Sequence, residues 1–289
     1  MTTPLPRPLP DPPIEPADPP APVPRLEPGR PPSALLIDYD GTIAQTDVSD
    51  TLMAEFVTAD WASYVAAYDQ GIVGSRKLMH WEVGLITADP AHLMAKAAAQ
   101  PHDPGFVAFA QAARDAGIPV EVVSDGFGFF IEPALASLGV PWIPVVTADT
   151  RFDGPAPTIA FPNGNPACFV CGTCKRNRVL AHQAAGRQVV FIGDGESDRY
   201  AAGYADIVFA KDSLAQFCLD RGWPFQAWTT FSEIHGWLDG LLQAFAADPS
   251  SLRGPVARRL FCGAEVWGPN RVDPPAVDAL PPDEGRIPG

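Results

Sequence analysis

The chain has 289 residues, a formal net charge of −14 at pH 7 and 34 prolines, where a usage of ~5% would give roughly 15. That acidic balance disfavours nucleic acid and anionic membrane surfaces as partners, because both want clustered Lys and Arg; it leaves room for a small anionic ligand held by a local patch or a metal. No apolar run approaches the ~18 residues of a bilayer span, no signal-peptide h-region opens the chain, and five cysteines at this length do not make a disulfide framework, so a cytoplasmic enzyme is expected.

Proline sets the boundaries. Fourteen prolines fall within residues 1–32 and seven within 250–289. A residue that fixes φ and donates no hydrogen bond suits neither helix interiors nor central strands. Residues 1–32 therefore read as a disordered tail. Residues 250–289 read as a Pro-rich extension with an apolar patch at Leu260–Phe261 and Val266–Trp267. The folded unit is 33–249, long enough to bury a core without disulfides or a structural metal.

Within it, Ser33–Asp38 is an apolar run ending on a carboxylate. Val48–Val57, Trp61–Asp69, Gly74–Gly84 and Pro90–Gln100 then read as helices, with Trp61, Tyr64 and Tyr68 at helical spacing as core of that block. Gly105–Ala116 reads as a helix with Phe106, Phe109, Ala110 and Ala113 on one face, closed by Gly117. A buried strand follows at Ile118–Val123, then a helix over Phe127–Leu138 and a short strand at Ile143–Val146. Asp-Gly and several prolines mark Arg151–Phe161 as a hairpin. Lys175–Ala185 is helical, Gln188–Ile192 a strand, and a Gly/Asp loop leads to a helix near Ser197–Ala202. Ile207–Ala210 is the last clear strand, followed by helices at Ser213–Asp220 and Phe231–Phe245.

Alternating strands and helices predict an α/β fold, a parallel sheet between two helical layers. Only the helical block 47–101 breaks the alternation. It reads as a small cap inserted after the first strand, between core segments 33–46 and 102–249. There it covers the carboxyl ends of the strands, where open α/β sheets bind ligands.

The strand ends carry the chemistry. The first finishes Asp38-Tyr39-Asp40-Gly41-Thr42, with two carboxylates at i and i+2 that point the same way and a glycine to allow a tight turn. The second finishes Ser124-Asp125-Gly126, and a later one Gly193-Asp194-Gly195-Glu196-Ser197-Asp198. Three strands thus deliver carboxylates and a hydroxyl to one edge. Clustered carboxylates repel unless a cation sits among them, and hard oxygen ligands suit Mg2+.

In their order along the chain, DYDGT, the Ser124 strand end, Lys175 and GDGESD resemble the four motifs of the haloacid dehalogenase-like phosphatases, over about Ser33 to Phe245. Within that family, SDGFGFFIEPAL, CGTCKRN and IVFAKDSLAQFC are similar to a methionine-salvage group acting on an enol phosphate; the phosphoserine phosphatases are a more distant likeness. The resemblance implies a Rossmann-like three-layer core with the helical cap. It also implies a Mg2+-dependent hydrolase of a small phosphorylated metabolite, acting as a monomer or homodimer.

The roles it implies agree with what phosphoryl transfer needs: an in-line nucleophile, charge neutralisation and a proton for the leaving oxygen. Asp38 is the candidate nucleophile, forming an aspartyl-phosphate. Asp40 is the candidate general acid and then general base. Ser124 and the neighbouring backbone at Asp125 and Gly126 hold phosphate oxygens, and Lys175 supplies positive charge. Asp38, the Asp40 carbonyl and Asp194 are the metal ligands, with Asp198 behind them orienting a metal-bound water or the lysine. An Asp at position 40 separates this chain from the family's dehalogenases, whose leaving halide needs no proton, and from its ion pumps, which carry Thr there. A phosphomutase would keep both aspartates.

Several residues have two readings. Arg176 and Arg178 rival Lys175 for the motif cation. Asp125 sits near the phosphate or caps the following helix, and Asp47 meets substrate at the cap entrance or caps the Val48 helix. No clear match exists for the cap arginine of the phosphoserine phosphatases; His80 aligns there, with Arg76 a turn away. Cys168, Cys171 and Cys174 form CxxCxxC without a fourth close ligand for tetrahedral zinc, which suggests a structural turn presenting the lysine. The leading substrate expectation is the methionine-salvage enol phosphate, with phosphoserine, phosphocholine or a sugar phosphate next. A different class of function, docking of the Pro-rich tail on SH3-like partners, rests on PxxP spacing alone.

Overall fold

In the computed structural model of the protein, residues 22–252 are described apart from 70–72, 155, 166, 167 and 169. The expected tails therefore fall mostly outside the described residues, as does the patch at Leu260–Phe261 and Val266–Trp267.

The fold is built on β1 (Ser33–Ile37), whose five residues are all buried. Its side chains alternate between two layers: Leu35 and Ile37 join one apolar cluster, Leu36 the other, as a strand covered on both faces requires. β1 pairs in parallel with β2 (Val120–Phe127) on one side and β5 (Gln188–Gly193) on the other. With β3 (Val145–Arg151), β4 (Thr158–Ala160), β6 (Ile207–Ala210) and β7 (Gln226–Ala227), the sheet runs β4-β3-β2-β1-β5-β6-β7. Every pairing is parallel except β3 with β4. The expected α/β architecture is thus present.

Four helices, α1 (Val48–Phe56), α2 (Ala62–Asp69), α3 (Ser75–Leu85) and α4 (Pro90–Ala98), lie between β1 and β2 in sequence. The core helices are α5 (Phe106–Asp115), α6 (Gly128–Ser137), α7 (Lys175–Ala184), α8 (Arg199–Tyr204), α9 (Asp212–Asp220) and α10 (Phe231–Ala247). α5, α6 and α10 cover one sheet face through Phe106, Phe109, Ile131, Phe231 and Leu238. α7, α8 and α9 cover the other through Val179, Ala201 and Leu214. Leu52, Met79, Val83 and Leu93 of the inserted helices join the first cluster, so the insert shares its core. A separate cluster joins Tyr64, Leu78 and Trp81 to Cys168 and Val170 of the segment before α7.

Some boundaries differ from the periodicity. β2 runs on through Ser124, Asp125 and Gly126 to Phe127, with its register against β3 shifting between Val123 and Phe127. β3 begins two residues later than expected and extends to Arg151, because β4 pairs with its far end as an antiparallel hairpin. β7, two exposed residues, carries no pattern to read. A 3-10 turn at Glu196–Asp198 precedes α8.

Buried polar groups tie the layers together. Asp103 accepts hydrogen bonds from the backbone N–H of Gly105 (2.8 Å) and of Phe231 (3.2 Å), so one carboxylate serves the starts of α5 and α10. Glu121 on β2 takes a two-pronged contact from Arg178 on α7: Nη2 donates to Oε1 at 2.7 Å, and Nε donates to Oε2. His182 Nε2 lies 3.1 Å from the same Oε1. Burial alone would raise the Glu121 pKa, but His182 and Arg178 together hold it down to about 2. Arg178 is therefore engaged by Glu121 on the sheet. No helix among the described residues is long and apolar enough to cross a membrane.

Candidate active site

Asp38 stands one residue past β1, its N–H still bonded to Ile192 O of β5 (2.9 Å). That last ladder bond fixes the carboxylate at the junction of β1 and β5. Gly41 follows at φ +67, and a Cβ there would collide with the Asp194 carboxylate. The turn demanded by DYDGT thus exists to let two strand ends approach. Thr42, one residue on, donates from Oγ1 to Asp194 Oδ1 at 2.5 Å.

Lys175 opens α7 and is 2% exposed. Its Nζ lies 2.9 Å from Asp38 Oδ1, 2.6 Å from Asp198 Oδ1 and 2.8 Å from Ser197 Oγ. Burial opposes its charge, but Asp198 and then Asp38 hold its pKa above the ordinary lysine value. Asp198 Oδ2 accepts the backbone N–H groups of Asp194 and Gly195, both at 3.0 Å. With both oxygens engaged, Asp198 fixes the lysine and the Asp194 loop together. Arg176 points elsewhere, over the Tyr204 ring at 4.7 Å.

Asp40 Oδ1 accepts the Val48 N–H at the start of α1 (2.9 Å), and Asp47 accepts that of Asp50 (2.8 Å). Asp47 thus does cap α1 while also lining the cavity described next. Ser124, 1% exposed, takes the Gly126 N–H on its Oγ at 2.9 Å. A Cβ on Gly126 would collide with the Asp40 carboxylate. Asp125 does not cap α6, whose N-cap is Phe127 with no side-chain bond. Instead its Oδ1 accepts the Thr173 N–H at 2.6 Å, two residues before Lys175. The same segment grips α3: Arg76 N–H donates to Val170 O (3.0 Å), and Gly172 N–H to Ser75 Oγ (3.2 Å). Cys168, Cys171 and Cys174 form no disulfide; Cys168 packs against the insert.

These groups face a cavity of about 220 Å³. Asp38, Asp40, Ser124, Asp125, Gly126 and Asp194 line its core side; Asp47, Asp50, Tyr68, Asp69 and Glu82 line the side of the inserted helices. Tyr64 packs on Trp81 inside the insert, ring centroids 4.4 Å apart, as expected. Tyr68, expected beside it, reaches the cavity. His80 and Arg76 are not among the described lining residues; Arg76 lies over Phe161 at 4.7 Å. Thr42 and Ser197 sit inside motifs read from sequence without having been given a task, and their one-residue offsets from Gly41 and Asp198 were the available signal. Glu82, Asp50 and Asp69 had no such signal.

Ligand oxygens of Asp38, Asp194 and Asp198 all lie within 4.8 Å of one another. Burial, then Asp198, pushes Asp38 well above the carboxylate range against the pull of Lys175. Burial, then Asp198, pushes Asp194 up to about 7. Burial, then Asp47 and Asp38, raises Asp40. One ammonium thus faces a surplus of buried carboxylate, which is the donor set and charge deficit that a hard divalent cation fits. Asp198 already accepts Lys175 Nζ and two backbone N–H groups, which leaves Asp38 and Asp194 as the less committed candidates for such an ion.

A sequence model of the haloacid dehalogenase-like hydrolase family matches residues 35–203. A protein of Brevibacillus brevis named 2-hydroxy-3-keto-5-methylthiopentenyl-1-phosphate phosphatase is 28% identical over 206 residues, covering 69% of this chain and 92% of that one. A protein of Lysinibacillus sphaericus with the same name is 27% identical over 228 residues, covering 75% and 98%. Among solved structures, a phosphoserine phosphatase with an aspartyl-phosphate analogue superposes with TM-score 0.57 at 14% identity, covering 72% of this chain and 99% of that one. Phosphoserine phosphatase from T. onnurineus gives 0.55 at 15%, covering 73% and 96%. At these identities the structural likeness speaks for the fold.

Proposed function

The chain belongs to the haloacid dehalogenase-like hydrolases, and from that membership we propose that this phosphatase is a Mg2+-dependent phosphomonoesterase working through an aspartyl-phosphate on Asp38. The observation that carries the reading is Lys175 held between Asp38 and Asp198 at 2.9 and 2.6 Å, with Asp194 beside them. In this reading residues 47–101 are the cap over a core of 33–46 and 102–249.

An Asp38 oxygen attacks phosphorus and the bond to the ester oxygen breaks, with Asp40 giving that oxygen its proton. Asp40 then takes a proton from water as the water oxygen attacks phosphorus, and the Asp38–phosphorus bond breaks to release phosphate. Lys175 keeps Asp38 oriented and offsets charge on the phosphoryl oxygens. The Ser124 hydroxyl and the neighbouring N–H groups position them. Asp198 acts through Lys175 as a positioning residue. Asp38, Asp194 and the Asp40 carbonyl would hold Mg2+, whose chemistry is to neutralise the phosphoryl oxygens.

The enol phosphate in the names of the Brevibacillus and Lysinibacillus relatives is the first metabolite to assay, since the phosphate half of the site suits any small phosphomonoester. Purified protein should hydrolyse p-nitrophenyl phosphate with Mg2+ and lose this activity with chelator. Asp38→Asn should abolish it. Turnover by Asp38→Asn equal to wild type would remove the aspartyl-phosphate from the scheme.

A further inference from the structure

The cap side of the cavity has a chemistry of its own. Asp47 and Asp50 come from α1, Tyr68 from α2 and Glu82 from α3. Glu82 is 4% exposed and lines the cavity. Among the described residues it has no hydrogen bond and no ion pair, and the charges that act on it are those of Asp47 and Asp50. An ionised carboxylate buried unpaired beside two others is costly, and a ligand cation placed among them would offset that cost. Burial, then Asp47 and Asp50, raises Glu82 well above its ordinary value; burial, then Asp47 and Asp69, raises Asp50 to about 6.

Among the described residues the cap carboxylates are not arranged as a second metal shell; the carboxylate set whose oxygens converge within 4.8 Å is Asp38, Asp194 and Asp198. Carboxylates that line a cavity together with an aromatic side chain, Tyr68, suit an organic cation. No Lys, Arg or His is among the described lining residues, so no side-chain cation there is set against a second anionic group on the ligand.

We infer that the substrate is a small phosphomonoester whose alcohol carries an ammonium group and no carboxylate, with Glu82, Asp50 and Asp47 receiving the cation beside Tyr68. This rests on the phosphomonoesterase reading and narrows it. It favours an aminoalkyl phosphate over phosphoserine, which adds a carboxylate, and over the uncharged chain of the enol phosphate.

The test is calorimetric binding to Asp38→Asn protein with Mg2+, using 2-aminoethyl phosphate, choline phosphate and the neutral isostere propyl phosphate. At least one cationic ligand should bind about tenfold or more tightly than propyl phosphate, the scale of one desolvated charged contact. A primary-amine preference points to donated hydrogen bonds and a quaternary preference to Tyr68. Adding Glu82→Gln should shrink the preference, and Asp50→Asn should do so independently if the first variant is poorly folded. Equal binding of all three ligands overturns the inference, as does a preference unaltered in both variants. Wild-type turnover of p-nitrophenyl phosphate separates the two readings. Turnover without cation preference removes the ammonium site and leaves the phosphatase, whereas cation preference without turnover of any phosphomonoester does the reverse.

Discussion

The central sheet and the helices inserted after β1 each bury a glutamate, Glu121 at 2% exposure and Glu82 at 4%. Glu121 receives Arg178 from two directions with His182 beside it, and its pKa falls to about 2. Glu82 receives neither, and burial with Asp47 and Asp50 sends its pKa up. Equal depth with opposite treatment separates two uses of a buried charge. In the sheet, charge is neutralised within the protein and serves to hold α7, and with it Lys175, against β2. In the cavity, carboxylates are left for a ligand to neutralise. The protein spends stability where it binds and gains it where it is built.

The largest expected consequence falls on the cavity floor. Asp40→Asn should slow turnover by about 10²–10⁴, the range of a lost general acid–base, while its melting temperature stays within a degree or two of wild type, because Asn can still accept the Val48 N–H. A large fall in melting temperature, read by calorimetry, would put Asp40 on the structural side of the contrast.

Next comes the sheet. Glu121→Ala strands Arg178 in a buried site and should cost about 3–5 kcal/mol in denaturant unfolding. The pH dependence has a definite sign. Glu121 is depressed from 4.5 to about 2, so its contribution is complete above about 4.5 and is lost as pH falls through about 2. The variant should therefore show less acid-induced loss across that window than wild type.

The smallest effect belongs to the inserted helices. Glu82→Gln removes a carboxyl group whose charged form burial and like charge disfavour, and should stabilise by about 1 kcal/mol at neutral pH. Because the folded-state pKa is raised, the penalty it relieves grows as pH rises above the unfolded value, so the gain should be larger at pH 7 than at pH 4.5. A destabilised Glu82→Gln protein would mean that Glu82 is paired, and the contrast with Glu121 would collapse.

What could be read from the sequence follows the same division. β1, β2 and β5 are short apolar runs followed by Asp38, Ser124 and Asp194, so a buried run with a polar terminus locates the floor of the site. Lys175 was legible as the cation opening a helix, though only the partners of Arg178 and Arg176 separate it from its neighbours. The cap wall was not legible. On α2 the helical period places Tyr68 with Tyr64, yet four residues rotate a side chain 40° around the axis, enough to move it from the packed seam to the cavity edge. Glu82 lies between Trp81 and Val83, both buried, and a charge inside an apolar stretch carries no mark of what it faces. β7 and the extension of β3 depend on pairing partners distant in sequence, which local pattern does not contain.

The grip between α3 and the segment before Lys175 has one more consequence. Its bonds run from Arg76 N–H to Val170 O and from Gly172 N–H to Ser75 Oγ, and Thr173 N–H reaches Asp125. On the segment's side every one of these groups is main chain. Such a fastening is a matter of spacing more than of side-chain identity: the thiols of Cys171 and Cys174 can be exchanged for other small groups without touching it. Lengthening the stretch between Val170 and Lys175 by a single residue would throw the fastening and the lysine out of step with each other. The segment works as a ruler, and its graduations are peptide units.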